Sequence, residues 1–314
     1  MADGSVRDPP AYTPPEAAAA LVAGPHQRNS FDVLRLSAAL LVLVGHAYAL
    51  LHWSAPRLLD QSIHRIGLYV FFFISGYLIA ASWRAQPGLV AFAIKRVLRI
   101  MPALVVVVVA TALILGPLVT SDPGYLQRPQ TWVYLVRNAL LLTGGDLPGV
   151  FLDNPQAGSV NGSLWTLPIE ALLYTLTPLL MRARLWQASL FAVALFFTGW
   201  FYDGYLSNHI AVASWFLVGH LAYRLRVPPP NWPPLRLPVD LSYGLYLTSF
   251  PVQQTLIMAF PALHPLQLAA WSLAICVVLA WMLWAFVEQP AKRLRAPLIA
   301  WSAGPGALAP RPAP

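Results

Sequence analysis

Long apolar runs recur along the chain, and their lengths predict its fold. An α-helix needs about 20 mostly apolar residues to cross a hydrocarbon core of about 30 Å. The pattern predicts spans near residues 31–52, 66–83, 100–119, 163–181, 187–202, 209–226, 241–260 and 266–287. We therefore expect an all-α, polytopic membrane helix bundle with about eight or nine spans.

Several stretches depart from this pattern. WVYLVRNALLL, at 132–142, is too short to cross alone and carries Arg137, so we expect an interfacial or re-entrant helix there. VPPPNWPPLRLP, at 227–238, has six prolines in twelve residues and cannot be helical. The predicted organisation is a disordered cytoplasmic tail at 1–28, a membrane domain at 29–295 with a Pro-rich linker at 227–240, and a disordered tail at 296–314.

Composition agrees with a membrane protein. Aliphatic and aromatic residues make up 58% of the chain and charged residues 10%, with a mean hydropathy of +0.60, whereas soluble domains have about a quarter charged residues. The single cysteine, Cys276, can form no internal disulfide. The net charge of +8 is typical of Lys/Arg-rich cytoplasmic loops, so we expect a lipid bilayer and no nucleic acid as partner.

The distribution of positive charge predicts the orientation. If the N-terminus is cytoplasmic and the spans alternate, 15 Lys and Arg residues fall inside and 4 outside, with Arg35 in the first span. The opposite orientation would invert the positive-inside bias. We therefore expect both termini in the cytoplasm. A composition rich in Ala, Pro, Arg and Leu suits a bacterial source and hence a bacterial plasma membrane.

The first apolar run carries three polar residues on one face. At 100° per residue, the eleven steps from Arg35 to His46 leave about 20° of rotation, and Asp32 falls on the same side. One interpretation is an i, i+3 pair of Asp32 with Arg35 at the membrane edge, and a His46 that is hydrogen-bonded within the bundle. The other is a functional site, which the cost of an intramembrane ionisable group favours for His46.

Two further polar elements are predicted at the depth of His46. If 163–176 begins at the outer face, Glu170 lies about 10 Å inside it. Ser75 and Gly76 lie nine or ten residues from the outer end of their span. A His, a Glu and a Ser at one depth would suit proton transfer. For Ser75–Gly76 we favour the alternative of a small-residue contact between helices.

The predicted cytoplasmic face is basic. Lys95, Arg96 and Arg99 lie where a helix enters the membrane. They either anchor the helix under the positive-inside rule or form a seat for a phosphorylated cytosolic cofactor. Near the same surface the sequence places Ser242, Tyr243, Tyr246 and Glu288.

Six motifs in order carry a family resemblance. They are FDVLRLSAALLVLVGH with an R-x10-H spacing, FFFISGYLI, FAIKRVLRIMP, SLWTLPIE, SYGLYL and VEQP. Together they resemble the acyltransferase-3 family of integral membrane proteins, which acylate sugars and other extracytoplasmic or membrane-associated acceptors. The resemblance covers residues 31 to about 294.

The resemblance implies an O-acyltransferase that uses acyl-CoA, usually acetyl-CoA, bound from the cytoplasm, with no metal and a carbohydrate or lipid-linked acceptor. His46 matches the essential histidine of the family, Arg35 its motif partner and Glu170 the family carboxylate. The implied cofactor-binding residues are Arg96 and Arg99, and the basic face adds Lys95 and Tyr243 as candidates. The residues implied for substrate or structural support are Asp32, Ser75, Gly76, Trp165, Ser242, Tyr246 and Glu288.

Two departures from the family pattern keep alternatives open. A Pro-rich linker bridges Arg226 to Leu241, where the family normally has further apolar segments, and Ser249 stands at a frequent histidine position. One alternative is a transporter or exporter with a His46/Glu170 proton relay. Another is a scaffold that lost its activity with the missing helices.

Overall fold

The structure is a computed structural model that describes residues 30–202, 204, 206–230 and 239–303. The predicted tail at 1–28, most of the Pro-rich linker and the C-terminal residues from 304 onward lie outside the described residues. The described chain is 76% helical with almost no strand, which confirms the all-α class. Two short strands, β1 (Arg57–Leu58) and β2 (Gln61–Ser62), pair antiparallel in the turn between the first two helices.

The helices coincide with the predicted apolar runs. In chain order they are α1 (Phe31–Leu50), α2 (Ile63–Ala85), α3 (Leu89–Ala110), α4 (Gly116–Val119), α5 (Pro129–Ala139), α6 (Thr166–Arg182), α7 (Leu185–Phe201), α8 (Ser207–Arg224), α9 (Ser242–Ala259), α10 (Pro265–Leu283), α11 (Gln289–Arg293) and α12 (Arg295–Ala303). Single π-helical turns join α3 to α4 and α10 to α11, and short 3₁₀ turns precede α5 and α6.

Five segments of the described chain are long and apolar enough to cross a membrane. They are Phe31–Leu50, Ile63–Ala85, Leu89–Val119, Gly162–Arg182 and Pro265–Ser302. Helices suit this solvent because a helix satisfies its backbone hydrogen bonds internally. The other predicted spans also form helices, and Leu185–Gly199 is a shorter apolar one. As expected, the region around 132–142 forms a short helix, α5, of 11 residues.

Small residues allow α2 and α8 to approach closely. A Cβ atom at Gly76 would lie 1.9 Å from the carbonyl oxygen of Phe216 on α8. Reciprocally, a Cβ atom at Gly219 would lie 1.9 Å from the carbonyl oxygen of Phe73 on α2. The contact expected at Ser75–Gly76 is therefore present, and it is the close backbone approach that small residues permit.

An irregular segment, residues 147–165, runs down the side of α9 and is called here the descending segment. Asn154 Nδ2 donates to the carbonyl oxygen of Gln254 (2.8 Å), while Tyr246, two helical turns earlier on α9, donates its hydroxyl to the carbonyl oxygen of Ser163 (2.6 Å). Gln254 and Tyr246 are about 12 Å apart along the helix axis. Helix α6 therefore begins deep within the bundle, which corrects the expectation that residue 163 lies at the outer face.

The C-terminal region also differs from its prediction. The sequence predicts disorder from residue 296, yet Arg295–Ala303 forms α12. Packing explains the difference, because Leu298 lines an apolar groove with residues of the first turns of α3, among them Leu89 and Val97. Trp301 remains 84% exposed. An apolar contact surface stabilises a short helix, and composition alone does not reveal such a surface.

Candidate active site

The antiparallel pair α1 and α2 defines two ends of the site. At one end the ring of Phe31 lies 5.2 Å from that of Tyr77, at the level of Arg35. At the other end the ring of His46 lies 5.9 Å from that of His64. These are called the Arg35 end and the His46 end. Helix α9 runs from the first to the second, since Asp240 just before it pairs with Arg35 and its Phe250 packs on His46.

The Arg35 end holds a largely buried cluster of two arginines and two carboxylates, called here the ion-pair cluster. Asp240 Oδ2 accepts from Arg35 Nη1 at 2.7 Å and from Arg99 Nη2 at 3.1 Å. Arg99 Nη1 donates to Glu288 Oε2 at 2.6 Å. The cluster joins α1, α3, the segment before α9 and the end of the π-helical turn that follows α10. The interpretation of Asp32 and Arg35 as an i, i+3 ion pair is not met in the described residues, since Arg35 pairs with Asp240 instead.

Electrostatics keep Asp240 ionised. Burial by itself would raise the pKa of this carboxyl, but Arg35 and Arg99 hold the pKa well below its usual range. The backbone N–H and the hydroxyl of Ser242 add to this effect, since both donate to Asp240 Oδ1. Ser242, predicted as a support residue, thus acts by holding the carboxylate that organises the cluster.

The two tyrosines of SYGLYL serve the architecture of the same end. Tyr243 donates its hydroxyl to the carbonyl oxygen of Ile100 (2.9 Å), and its ring lies 5.3 Å from the guanidinium of Arg99. Tyr246 holds the start of α6 through its contact with Ser163. The ring of Trp165 packs against that of His209, 4.9 Å away.

Glu170 also belongs to the Arg35 end. Its Oε1 accepts hydrogen bonds from Ser75 Oγ at 3.0 Å and from the hydroxyl of Tyr174. The guanidinium of Arg96 lies 5.7 Å from the centre of the Tyr174 ring, and its Nη2 donates to Ser82 Oγ at 3.3 Å. Ser75 thus helps to hold Glu170, as a hydrogen-bond donor to its carboxylate.

His46 lies apart from Glu170. Its neighbour His64 and Ser75, the partner of Glu170, are eleven residues apart on α2, which is about 16 Å along the axis. The expectation that His46 and Glu170 share one depth is therefore wrong. The reason is the descending segment, which starts α6 deep in the bundle and carries Glu170 toward the Arg35 end. A direct proton relay between the two side chains has no support in this geometry.

Four cations within electrostatic range of the ion-pair cluster or of one another lack an ion-pair partner within the part of the chain that the structure describes. They are Lys95, Arg96, Lys292 and Arg295. The Nε atoms of both arginines are buried and have no hydrogen-bond partner there. Arg295 lies within electrostatic range of Arg96 and Arg99. A concentration of unpaired cations suits an anion with several oxygens, such as a phosphate.

Two residues of the site were missed by the sequence analysis. Asp240 had a usable signal, since it is an acidic residue directly before a helix and after a Pro-rich stretch. His64 had a weaker one, a histidine at the start of a predicted span beside Arg65. Both were passed over because their importance depends on the residues that pack against them.

Comparisons with known proteins bear on this geometry. The sequence model of a family described as an acyltransferase domain matches residues 28–241, which include Arg35, His46, Glu170 and Asp240. The O-acetyl transferase of Shigella phage Sf6 is 36% identical over 153 residues, 48% of this chain and 45% of the phage protein. Nodulation protein 10 of Rhizobium leguminosarum bv. viciae is 29% identical over 364 aligned positions, 87% of this chain and 95% of that protein. No solved structure matches.

Proposed function

Because the chain belongs to the acyltransferase-3 family, we propose that it is a membrane-bound O-acyltransferase. It moves an acyl group, with acetyl as the expected one, from cytoplasmic acyl-CoA to a hydroxyl group of a carbohydrate-containing or membrane-associated acceptor. The observation that carries this proposal is the two-ended site, with unpaired cations at the Arg35 end and a half-buried imidazole at the His46 end. The name of the phage relative supports an acetyl group and an oxygen acceptor.

In this proposal the phosphates of the acyl-CoA donor bind to the unpaired cations. Lys95, Arg96, Lys292 and Arg295 offer charge-assisted hydrogen bonds that no carboxylate contact occupies within the described chain. Arg99, by contrast, already contacts Asp240 and Glu288, so its role in this proposal is to support the site. In this proposal the extended pantetheine arm of CoA runs from the cations toward His46.

His46 supplies the proton chemistry. The neutral imidazole accepts the proton of the acceptor hydroxyl as its oxygen attacks the thioester carbonyl carbon. The carbon–sulfur bond then breaks, and the imidazolium returns the proton to the CoA thiolate. Oxygen gains the acyl group, sulfur gains the proton, and the enzyme is unchanged. Arg35 and Glu170 act in this proposal at the donor end, where the structure holds them.

The orientation follows from the donor. CoA is cytoplasmic, so the Arg35 end faces the cytoplasm in agreement with the excess of positive charge there. An eight-span arrangement with both termini in the cytoplasm places the His46 end toward the outer half of a bacterial plasma membrane. The acceptor hydroxyl reaches His46 from that side or from the bilayer.

An acetyl-CoA cleavage assay on the purified protein in lipid tests the proposal, with membrane extract as the source of acceptor. Wild type is compared with His46→Ala and with a matched control, His264→Ala, an exposed histidine that packs on Trp53 instead. We expect acceptor-dependent release of CoA that is lost in His46→Ala and kept in His264→Ala. Equal release by all three proteins would contradict the role of His46. A wild-type protein that binds no CoA would contradict the proposed acyltransferase activity.

A further inference from the structure

The His46 end contains a second histidine that lies outside every motif of the sequence. The imidazole of His64, at the start of α2, lies 5.9 Å from that of His46 between ring centroids, with 35° between the ring planes. The Nδ1 atoms of both rings are buried and have no hydrogen-bond partner among the described residues. A buried polar atom without a partner is unfavourable, so two of them on neighbouring rings require an explanation.

The backbone is built to allow this approach. A Cβ atom at Gly45 would lie 2.6 Å from Cβ and 2.9 Å from Nδ1 of His64, so a larger residue would displace that side chain. Ser62 Oγ lies 3.1 Å from His64 Nε2 and holds the ring from its other nitrogen. Phe250 of α9 packs edge-on against His46 with ring centroids 5.5 Å apart. The position of each ring is thus determined by neighbours on different elements.

We propose that His64 is a positioning residue for His46, an inference that rests on the proposed role of His46 as proton acceptor. The second imidazole holds the ring of the first. It also keeps His46 neutral, since two adjacent imidazolium ions repel each other. A neutral His46 has the lone pair that accepts the hydroxyl proton.

The side chains that pack against the two histidines from α9 and from the turn before α2 are uncharged, so the repulsion that keeps His46 neutral comes from His64. Helix α9 presents the uncharged Phe250, and the turn before α2 presents the uncharged Ser62. The charged group within electrostatic range of His64 is Arg65, next to it on α2.

The test is the pH dependence of carbethoxylation of His46 by diethyl pyrocarbonate, which reacts with neutral imidazole. The full chain in lipid is used, and fragmentation in the mass spectrometer assigns each carbethoxyl group to His46 or His52, which share one tryptic peptide. In His64→Gln we expect the pH of half-maximal reaction rate to rise by about one unit. His264→Gln is the matched control and leaves that pH unchanged. The exposed His52 serves as internal reference in every sample.

A second variant protects the test against misfolding. Gly45→Ala keeps both imidazoles but displaces His64, so we expect a smaller rise in the pH of half-maximal reaction rate. In the acetyl-CoA assay His64→Gln is expected to lower kcat about tenfold below neutral pH and to leave the KM for acetyl-CoA unchanged. A half-maximal pH that stays at the wild-type value in both variants overturns the proposal. A shift in a protein that cleaves no acetyl-CoA supports the histidine pair and overturns the proposed function instead.

Discussion

Arg99→Ala is expected to destabilise the fold, because Arg99 holds the ion-pair cluster together. It contacts Glu288 at 2.6 Å and Asp240 at 3.1 Å, and the three side chains are 16%, 4% and 15% exposed. Removal of one partner of a buried ion pair costs about 3–5 kcal/mol, since it leaves the other charge unpaired. Asp240 keeps Arg35, whereas Glu288 loses its contact, so the expected loss is near the lower bound, about 3 kcal/mol.

Thermal unfolding of the purified protein in lipid measures this loss. At roughly 2–4 °C for each kcal/mol, Tm should fall by about 6–12 °C. The double variant Arg99→Ala/Glu288→Gln removes the stranded carboxylate and should recover more than half of the fall. The matched control is Lys95→Ala, since Lys95 lies on the same helix and has no ion pair in the described chain. Its Tm should equal that of wild type. The reasoning is refuted if Arg99→Ala has the Tm of wild type, or if the Tm of the double variant is lower than that of Arg99→Ala.

Three further predictions concern other parts of the site. Gly76→Ala places a methyl group 1.9 Å from a carbonyl oxygen of α8, so the free energy of unfolding should fall by about 1–3 kcal/mol. Gly88→Ala, whose nearest contact would be 3.9 Å away, changes only the N-cap of α3 and should lower Tm less. Glu170→Gln should leave the pH dependence of His46 carbethoxylation as in wild type, and a shift would mean that the carboxylate acts on His46 directly. Asp240 has a lowered folded pKa, so its stabilising contribution is complete above the unfolded value of about 3.9 and is lost as pH falls through the folded one. Below about pH 4 the Tm of wild type should therefore fall more steeply than that of Asp240→Asn, and parallel curves would contradict this assignment.

The shared face of Arg35 and His46 was predictable because it depends on helical geometry alone. A helix without a break from Phe31 to Leu50 keeps the eleven-residue spacing on one side. In the structure both residues meet the same neighbour, the α9 region, at Asp240 and Phe250. Here a local period was sufficient to place two residues of the site.

The depth of Glu170 was not predictable from the same kind of reasoning. It depends on where α6 begins, and α6 begins where the descending segment ends. That segment has no periodic pattern, and side-chain hydrogen bonds to α9, such as that of Asn154 to Gln254, hold it in place. A span that starts inside the bundle has the same apolar sequence as one that starts at its surface.

The sequence by itself determined most of the helices, the membrane class and the polar face of the first span, since these depend on local hydrogen bonding and on the length of apolar runs. Only the tertiary structure decided which charges neutralise one another. Arg99 and its partners Asp240 and Glu288 are 141 and 189 residues apart in the chain. It also decided that His46 lies beside His64 and about 16 Å from the level of Glu170. Contacts between distant elements depend on how the helices pack, and no local pattern records that packing.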